Sequence, residues 1–178
     1  GNFLDPLVGE NYELGLKSEW FDRKLNTSIA IFHLSQKNRA YYPDPKSDIA
    51  IALGEVVSRG VELEASGEIL PGWNVFAGYT FNTSSYEHDP SKEGDTYSPY
   101  TAKHILRAYT TFELPGPAYR WTVGAGAQVQ SRTKNTINKY PYTLEQGGFV
   151  VYDASVHYKI TDKIKASFIV NNIFDRRY

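Results

Sequence analysis

Eight side chains in the polar stretches of this 178-residue chain have the chemistry of ligand binding: Tyr41, Tyr42, Tyr86, Tyr97, Tyr100, Tyr140, Tyr142 and Arg132. Tyrosine offers a broad flat face and a phenolic hydroxyl, so it stacks and donates hydrogen bonds with little loss of side-chain freedom. A guanidinium pairs an anionic oxygen through parallel donors. About half of these tyrosines have a competing assignment as an interfacial aromatic belt.

Catalytic and metal chemistry find no comparable pattern. With no cysteine in the chain, disulfides, thiolate metal sites and cysteine nucleophiles are excluded. Gly124-Ala125-Gly126 superficially suggests a dinucleotide loop, but it lies inside a strand pattern with no helix after it. No strand-turn-helix elbow frames a serine, so Ser, His and Asp do not assemble into a hydrolase signature. Glu87-His88-Asp89 with Glu93 and Asp95 lacks the regular spacing of a calcium loop and reads as a solvated acidic segment. Asn26-Thr27-Ser28 and Asn82-Thr83-Ser84 match a glycosylation sequon, a pattern common by chance. The expectation is no catalytic residue, no metal and no cofactor. A net charge of -1 gives no nucleic-acid footprint.

The elements that must carry those side chains are strands. From Ser58 to Tyr79, alternation puts Val61, Leu63, Ala65, Gly67 and Ile69 on one face and Gly60, Glu62, Glu64, Ser66 and Glu68 on the other. Pro71-Gly72 turns the chain, and Trp73, Val75, Ala77, Tyr79 and Phe81 return on the apolar side opposite Asn74, Gly78, Thr80 and Asn82. Three carboxylates at alternate positions suit a wall facing a wet interior, with lipid on the apolar side. No window approaches the ~18 continuous apolar residues of a membrane helix, and a barrel strand escapes such scans because every second residue is polar.

In order, the chain reads as four hairpins. Tyr12 to Trp20 is strand one, with a turn at Asp22-Arg23-Lys24. Strand two, Asn26 to Asn38, has an ambiguous register, and its Ala30, Phe32 and Leu34 face is expected to meet lipid. Arg39 to Val57, broken by Pro43 and Pro45, reads as a long loop, and a second runs from Asn82 to Lys103. Leu106, Ala108, Thr110, Phe112 and Leu114 alternate with Arg107, Tyr109, Thr111 and Glu113. After Pro115-Gly116-Pro117, Trp121, Val123, Ala125, Ala127 and Val129 face out. A third long loop spans Arg132 to Gly147. Val150 to Lys159 and Ile164 to Phe174 close the series around a turn at Thr161-Asp162-Lys163. Eight strands are expected, with four short turns at one end and three long loops at the other.

Outer-membrane barrels place short turns in the periplasm and long loops outside. Trp20, Trp73 and Trp121 all neighbour short turns, as an interfacial girdle would. A soluble sandwich is the competing reading. With short turns periplasmic, both chain ends lie on the extracellular side, so an arc cut from a larger barrel is expected rather than a free-standing one.

GENYELGLKSEWFDRKLNTSIAIFHLSQKNRA, GEVVSRGVELEASGEILPGWNVFAGYTFNTS and ASFIVNNIFDRRY resemble the C-terminal part of TonB-dependent outer-membrane receptors, specifically ferric-siderophore receptors. SRGVELEASGEI followed by PGW and GYT, and the NNIFD segment, are the most specific parts. The resemblance implies an all-β, transmembrane antiparallel barrel of about 22 strands closed by a plug, of which residues 1–178 form an eight-strand arc. The plug domain, the TonB box and the last strand fall outside this chain. It further implies ferric-siderophore uptake at the bacterial outer membrane. The partners would be the siderophore, outer-membrane lipid and, through parts outside this chain, the TonB–ExbB–ExbD complex. The tyrosines and Arg132 would then meet the ferric chelate. The alternative is an uncoupled pore or a small structural or adhesive barrel, with Glu13, Glu19, Glu62, Glu64, Glu68, Arg107 and Lys159 lining an open lumen instead of meeting a plug.

Overall fold

The computed structural model describes residues 4–44, 49–90, 92–137 and 142–178. Its strands are β1 (Val8–Trp20), β2 (Leu25–Tyr41), β3 (Ile51–Leu70), β4 (Trp73–Tyr86), β5 (His104–Glu113), β6 (Trp121–Gln130), β7 (Thr133–Ile137), β8 (Tyr142–Gln146), β9 (Phe149–Lys159) and β10 (Lys165–Val170). Eight of them form one sheet in the order β1-β2-β3-β4-β5-β6-β9-β10, and β7 and β8 form a separate hairpin. Every pairing is antiparallel. The sheet is open, with β1 and β10 as its edges. The helical structure among the described residues is one 3-10 turn, Gly116–Ala118.

Register makes the two faces unambiguous. Leu16, Ile29, Leu63, Tyr79, Leu106, Val129 and Val150 are successive cross-strand partners and form one apolar row. The next row on the opposite face is Lys17, Ser28, Glu64, Gly78, Arg107, Gln128 and Val151. A side-chain period of two then fixes the neighbours up to the register shifts at Gln36–Ala40 of β2 and Glu68–Leu70 of β3. Leu63, Ala65, Val75, Ala77, Leu106, Phe112, Val123 and Val156 fall on the apolar side as expected. Glu62, Glu64, Asn74, Arg107, Gln128 and Asp153 fall on the polar side. Large apolar side chains on the first face stay exposed, Leu14 at 72% and Phe168 at 70% among them, the pattern expected of a lipid-facing barrel surface.

Strand β2 corrects one expectation. Ile29 and Ile31 share the apolar face with Leu63 and Val61, so Ala30 and Phe32 turn to the polar face beside Glu62 and Gly60. The Phe32 ring occupies the space a side chain at residue 60 would need. Both faces of β2 are similarly apolar in isolation, and its pairing with β3 decides the matter.

Strand lengths at the long-loop end are corrected as well. β2 runs to Tyr41 and β3 begins at Ile51, so the segment read as a loop from 39 to 57 contracts to 42–50. β4 continues through Asn82 to Tyr86. The stretch from 132 to 147 holds the β7–β8 hairpin. At the other end the turns fall where expected, and Phe21, Asp22 and Arg23 all adopt positive φ in the four-residue turn between Trp20 and Leu25. The final strand stops at Val170, short of Phe174. Asn172 and Asp175 take positive φ, and the Asn172 backbone N–H donates to Asp153 Oδ1 at 2.8 Å.

All three tryptophans lie on the apolar face at the short-turn end. Trp20 Nε1 donates to Thr27 Oγ1 at 2.8 Å, Trp73 Nε1 donates to Thr110 Oγ1 at 2.7 Å, and Trp121 packs on Tyr158 with ring centroids 4.5 Å apart. From Trp73 to Thr83 is about 33 Å of strand, which at a tilt of about 40° spans the ~25 Å apolar band of a membrane barrel. Tyr12, His33, Arg59 and Thr83 form the row at its far edge.

Candidate functional site

At the long-loop end, β5 and β6 finish side by side, Ile105 opposite Gln130. The residues just beyond that pair are Lys103 and His104 on one strand, Ser131 and Arg132 on the other. Ser131 N–H donates to the His104 carbonyl at 2.9 Å, and His104 N–H donates to Ser131 Oγ at 3.2 Å, so the two basic dipeptide ends are held together. They border a cleft of about 450 Å³ that also takes in Asn82, Ser84, Thr96, Ser98, Thr101 and Lys134. Its lining is hydroxyl-rich and cationic. Arg132 has a carboxylate neighbour, Glu145 on β8, at 3.6 Å. The shielded Oδ1 of Asn82 has no hydrogen-bond partner among the described residues.

The sequence-derived tyrosines divide into groups instead of forming one site. Tyr86 and Tyr97 meet edge to face at 5.3 Å, with the Arg39 guanidinium over the Tyr97 ring at 4.9 Å and Lys92 over Tyr86 at 5.3 Å. Tyr97 N–H donates to the Ser84 carbonyl, which sets this cluster against the cleft wall. Tyr100 lies in sequence between the cleft residues Pro99 and Thr101, and its hydroxyl accepts from Asn135 Nδ2 on β7. Tyr41 ends β2 opposite Ile51, and Tyr42 follows it, 53% exposed. Tyr142 opens β8 opposite Ile137. Tyr140 lies outside the described residues.

Sequence reasoning missed Lys103, His104, Asn82 and Arg39. For the first two the signal was present: basic residues directly flank two strands that a short turn makes neighbours. Arg39 was hidden in a segment read as loop. The acidic segment that had been weighed as a cation site is used otherwise. Glu87 accepts from Ser85 Oγ at 2.9 Å and lies 3.7 Å from Arg59, while His88 bonds Glu55 across strands.

Deeper in the polar face a hydrogen-bonded chain crosses from β5 to β10. Tyr109 OH and Ser155 Oγ are 2.6 Å apart, Ser155 Oγ and His157 Nε2 2.9 Å, and His157 Nδ1 and Ser167 Oγ 2.8 Å. It passes over Gly124 on β6, where any Cβ would run into both Ser155 Oγ and Tyr109 OH. Ser155 is 3% exposed. The superficial dinucleotide motif is thus a notch for a polar bridge. Serine, histidine and tyrosine here brace the wall by linking β5, β9 and β10.

Comparison with known proteins matches this geometry. Residues 1–173 fit the family described as TonB dependent receptor-like, beta-barrel. A ferric-pyoverdine receptor of a Pseudomonas strain is 36% identical over 183 residues, and the ferripyoverdine receptor of Pseudomonas aeruginosa is 35% identical over 187. They cover 100% and 98% of this chain, and the chain covers 22% of each. The crystal structure of the Pseudomonas aeruginosa ferripyoverdine receptor bound to ferripyoverdine superimposes with a TM-score of 0.83 at 33% identity, over 98% of this chain and 24% of that one. The chain therefore spans about a fifth of the length of these relatives and corresponds to an arc of a larger outer-membrane barrel. It belongs to the TonB-dependent receptor-like β-barrel family.

Proposed function

We propose that this chain is the barrel-wall portion of a longer outer-membrane receptor, including a plug and a TonB box, that takes up a ferric siderophore with energy from the TonB–ExbB–ExbD complex. The observation that carries this reading is similarity over 98% of this chain, at 33% identity, to 24% of a receptor solved with ferripyoverdine bound. An anionic, oxygen-rich chelate of the pyoverdine kind suits a cleft lined by hydroxyls and by Lys103, His104, Arg132 and Lys134. In this reading Arg132 and Tyr100 border the cargo from the cleft, and Tyr86 and Tyr97 offer aromatic faces beside it. Tyr41, Tyr42, Tyr140 and Tyr142 contribute from the surrounding loops. The work done is recognition and passage, with no bond made or broken by the wall itself.

The test is binding of ferric pyoverdine, ferrichrome and a ferric catecholate to the full-length receptor, wild type against Arg132→Ala, Lys103→Ala and the combined variant. Weakening of one ferric chelate by tenfold or more in the combined variant supports the reading. Equal affinity in wild type and every variant removes this cleft from the cargo site. A freely conducting channel that binds no chelate would favour the uncoupled pore.

A further inference from the structure

The four short turns differ in how their cations are matched. At the first, Arg23 lies 3.3 Å from Glu19 and Lys24 lies 3.1 Å from Glu68, so both charges have a carboxylate. The second, Pro71-Gly72, carries no charge. The third ends at Arg120 and the fourth holds Lys163, and among the described residues neither has a carboxylate within ion-pair distance. These two turns are neighbours because β6 pairs with β9. Lys159 N–H donates to the Arg120 carbonyl at 2.8 Å, and Arg120 Nη1 donates to the Ile160 carbonyl at 3.3 Å. Arg120 Nε donates to the Tyr119 hydroxyl at 3.2 Å, and the guanidinium also meets the phenol of Tyr158. Tyr119, Arg120, Lys159, Ile160, Thr161 and Asp162 line a cleft of about 290 Å³.

This cleft opens where the apolar face ends. Trp121 and Tyr158 are cross-strand partners on that face, in contact at 4.5 Å, and Ile160 and Ile164 beside the fourth turn are 45% and 55% exposed. A guanidinium without a carboxylate, placed at the rim of an apolar surface, suits an anion that arrives with hydrocarbon attached. A soluble anion would leave those isoleucines and rings unused. Lys159 is matched by Asp162 at 2.7 Å, so Arg120 and Lys163 supply the excess positive charge. That excess favours a phosphodiester with an uncharged head over a zwitterionic one. Thr161 Oγ1 accepts the Lys163 and Ile164 amides at 3.2 and 3.1 Å, which leaves its hydroxyl proton to donate, and the Asp162 carboxylate can accept from headgroup hydroxyls. We propose that Tyr119, Arg120, Thr161 and Lys163 hold the headgroup of an anionic phospholipid of the phosphatidylglycerol kind, with its acyl chains along Trp121, Tyr158 and Ile164. The site depends on the apolar face meeting lipid and is independent of which cargo the receptor carries.

Native mass spectrometry of the full-length receptor in detergent micelles tests the site, with phosphatidylglycerol, phosphatidylethanolamine or phosphatidylcholine of identical acyl chains added in turn. Heat-dependent gel mobility checks that each variant is a folded barrel. The wild type is expected to retain phosphatidylglycerol over the other two lipids. Arg120→Gln should weaken that retention about tenfold, the scale of one hydrogen bond to a charged group, and Arg120→Lys should keep part of it. Arg23→Gln, which removes a cation already matched by Glu19, should change nothing. Excess glycerol phosphate, which has the head without the chains, should fail to displace the lipid. Equal retention of the three lipids, unchanged retention in Arg120→Gln, or an equal loss in Arg23→Gln would overturn the proposal. Displacement by glycerol phosphate would overturn it too, by showing an anion site indifferent to lipid. If Arg120→Gln does not fold, Lys163→Gln on the exposed turn takes its place, and unchanged retention there has the same meaning.

Discussion

The two faces of this sheet are built on different principles, although they share every backbone hydrogen bond. The lipid face is a set of rows in which Leu, Ile, Val and Ala stand beside one another, with side-chain hydrogen bonds at a few aromatic residues such as Trp20, Trp73 and Tyr79. Within it Ala65, Ala77, Ala108 and Ala127 are direct neighbours on four strands. The lumen face is particular. Gly60 lies under the Phe32 ring, Gly124 lies under the Tyr109–Ser155 hydrogen bond, and Lys24 reaches Glu68 at 3.1 Å. Hydrocarbon asks of a surface only that it lack charge, whereas a wet lumen lined by one wall is shaped residue by residue.

The largest effect should come from violating the lipid rule. Ala77→Arg places a guanidinium near mid-depth and should destabilise by about 2 to 4 kcal/mol. Thr80→Arg, three residues along the same strand but facing the lumen, should cost less than about 0.5 kcal/mol. Reversible unfolding of the full-length receptor from lipid vesicles measures both. Equal costs would dissolve the distinction between the faces.

Shape comes next. Gly60→Ala drives a methyl group into the Phe81 carbonyl oxygen and the Phe32 ring. The backbone atom cannot step aside, so a cost of about 1 to 3 kcal/mol is expected. Ala65→Leu on the lipid face enlarges a side chain by more and should cost little, because its neighbours there are acyl chains. If the lumen change proved the milder of the two, the glycine notches would be incidental.

The hydrogen-bonded bridge sharpens the same point with a smaller number. Gly124→Ala displaces the ends of two side chains, Tyr109 OH and Ser155 Oγ, and the expected loss is about 1 kcal/mol, the net value of one such bond. Tyr109→Phe should lose a similar amount. The double variant should lose little more than either single one, since both remove the same contact. Full additivity would show that the Gly124 notch and the Tyr109 hydroxyl act independently.

How much of this was legible in the sequence follows from where lipid lies. In β3, β4, β5, β6 and β9 the alternation that lipid enforces was readable directly, and the register confirms it. Beyond the tyrosine and arginine row at the far edge of the apolar band, neither face meets hydrocarbon. There β2 from Arg39, β3 up to Val57 and β4 from Asn82 continue as strands without an alternating signature, and these stretches read as loop in the sequence. The β7–β8 hairpin was invisible for the same reason. β2 failed differently, because Phe32 and Leu34 rival Ile29 and Ile31 in hydrophobicity and only pairing breaks the tie. The cleft was half visible: Arg132 was found, and Lys103 and His104 needed the pairing of β5 with β6.

The smallest effect is expected where both partners are exposed. Lys159 Nζ and Asp162 Oδ1 are 2.7 Å apart at the last short turn. The hydrogen bond from Lys159, and then its charge, hold the Asp162 carboxyl below its ordinary value of 3.8. A carboxyl whose pKa is lowered by folding contributes stability above its unfolded pKa and loses it as pH falls through the lower, folded value. Asp162→Asn should therefore destabilise slightly at neutral pH and converge with wild type once the medium is acidic enough to protonate the native carboxyl. Because the pair is open to water, salt screens it, and about 1 M sodium chloride, where the Debye length falls to about 3 Å, should remove most of the difference at neutral pH. Unfolding of the two proteins across that pH range, at low and high salt, gives the answer. A difference that grew on acidification, or survived high salt undiminished, would show that Asp162 holds the turn through something other than its charge on Lys159.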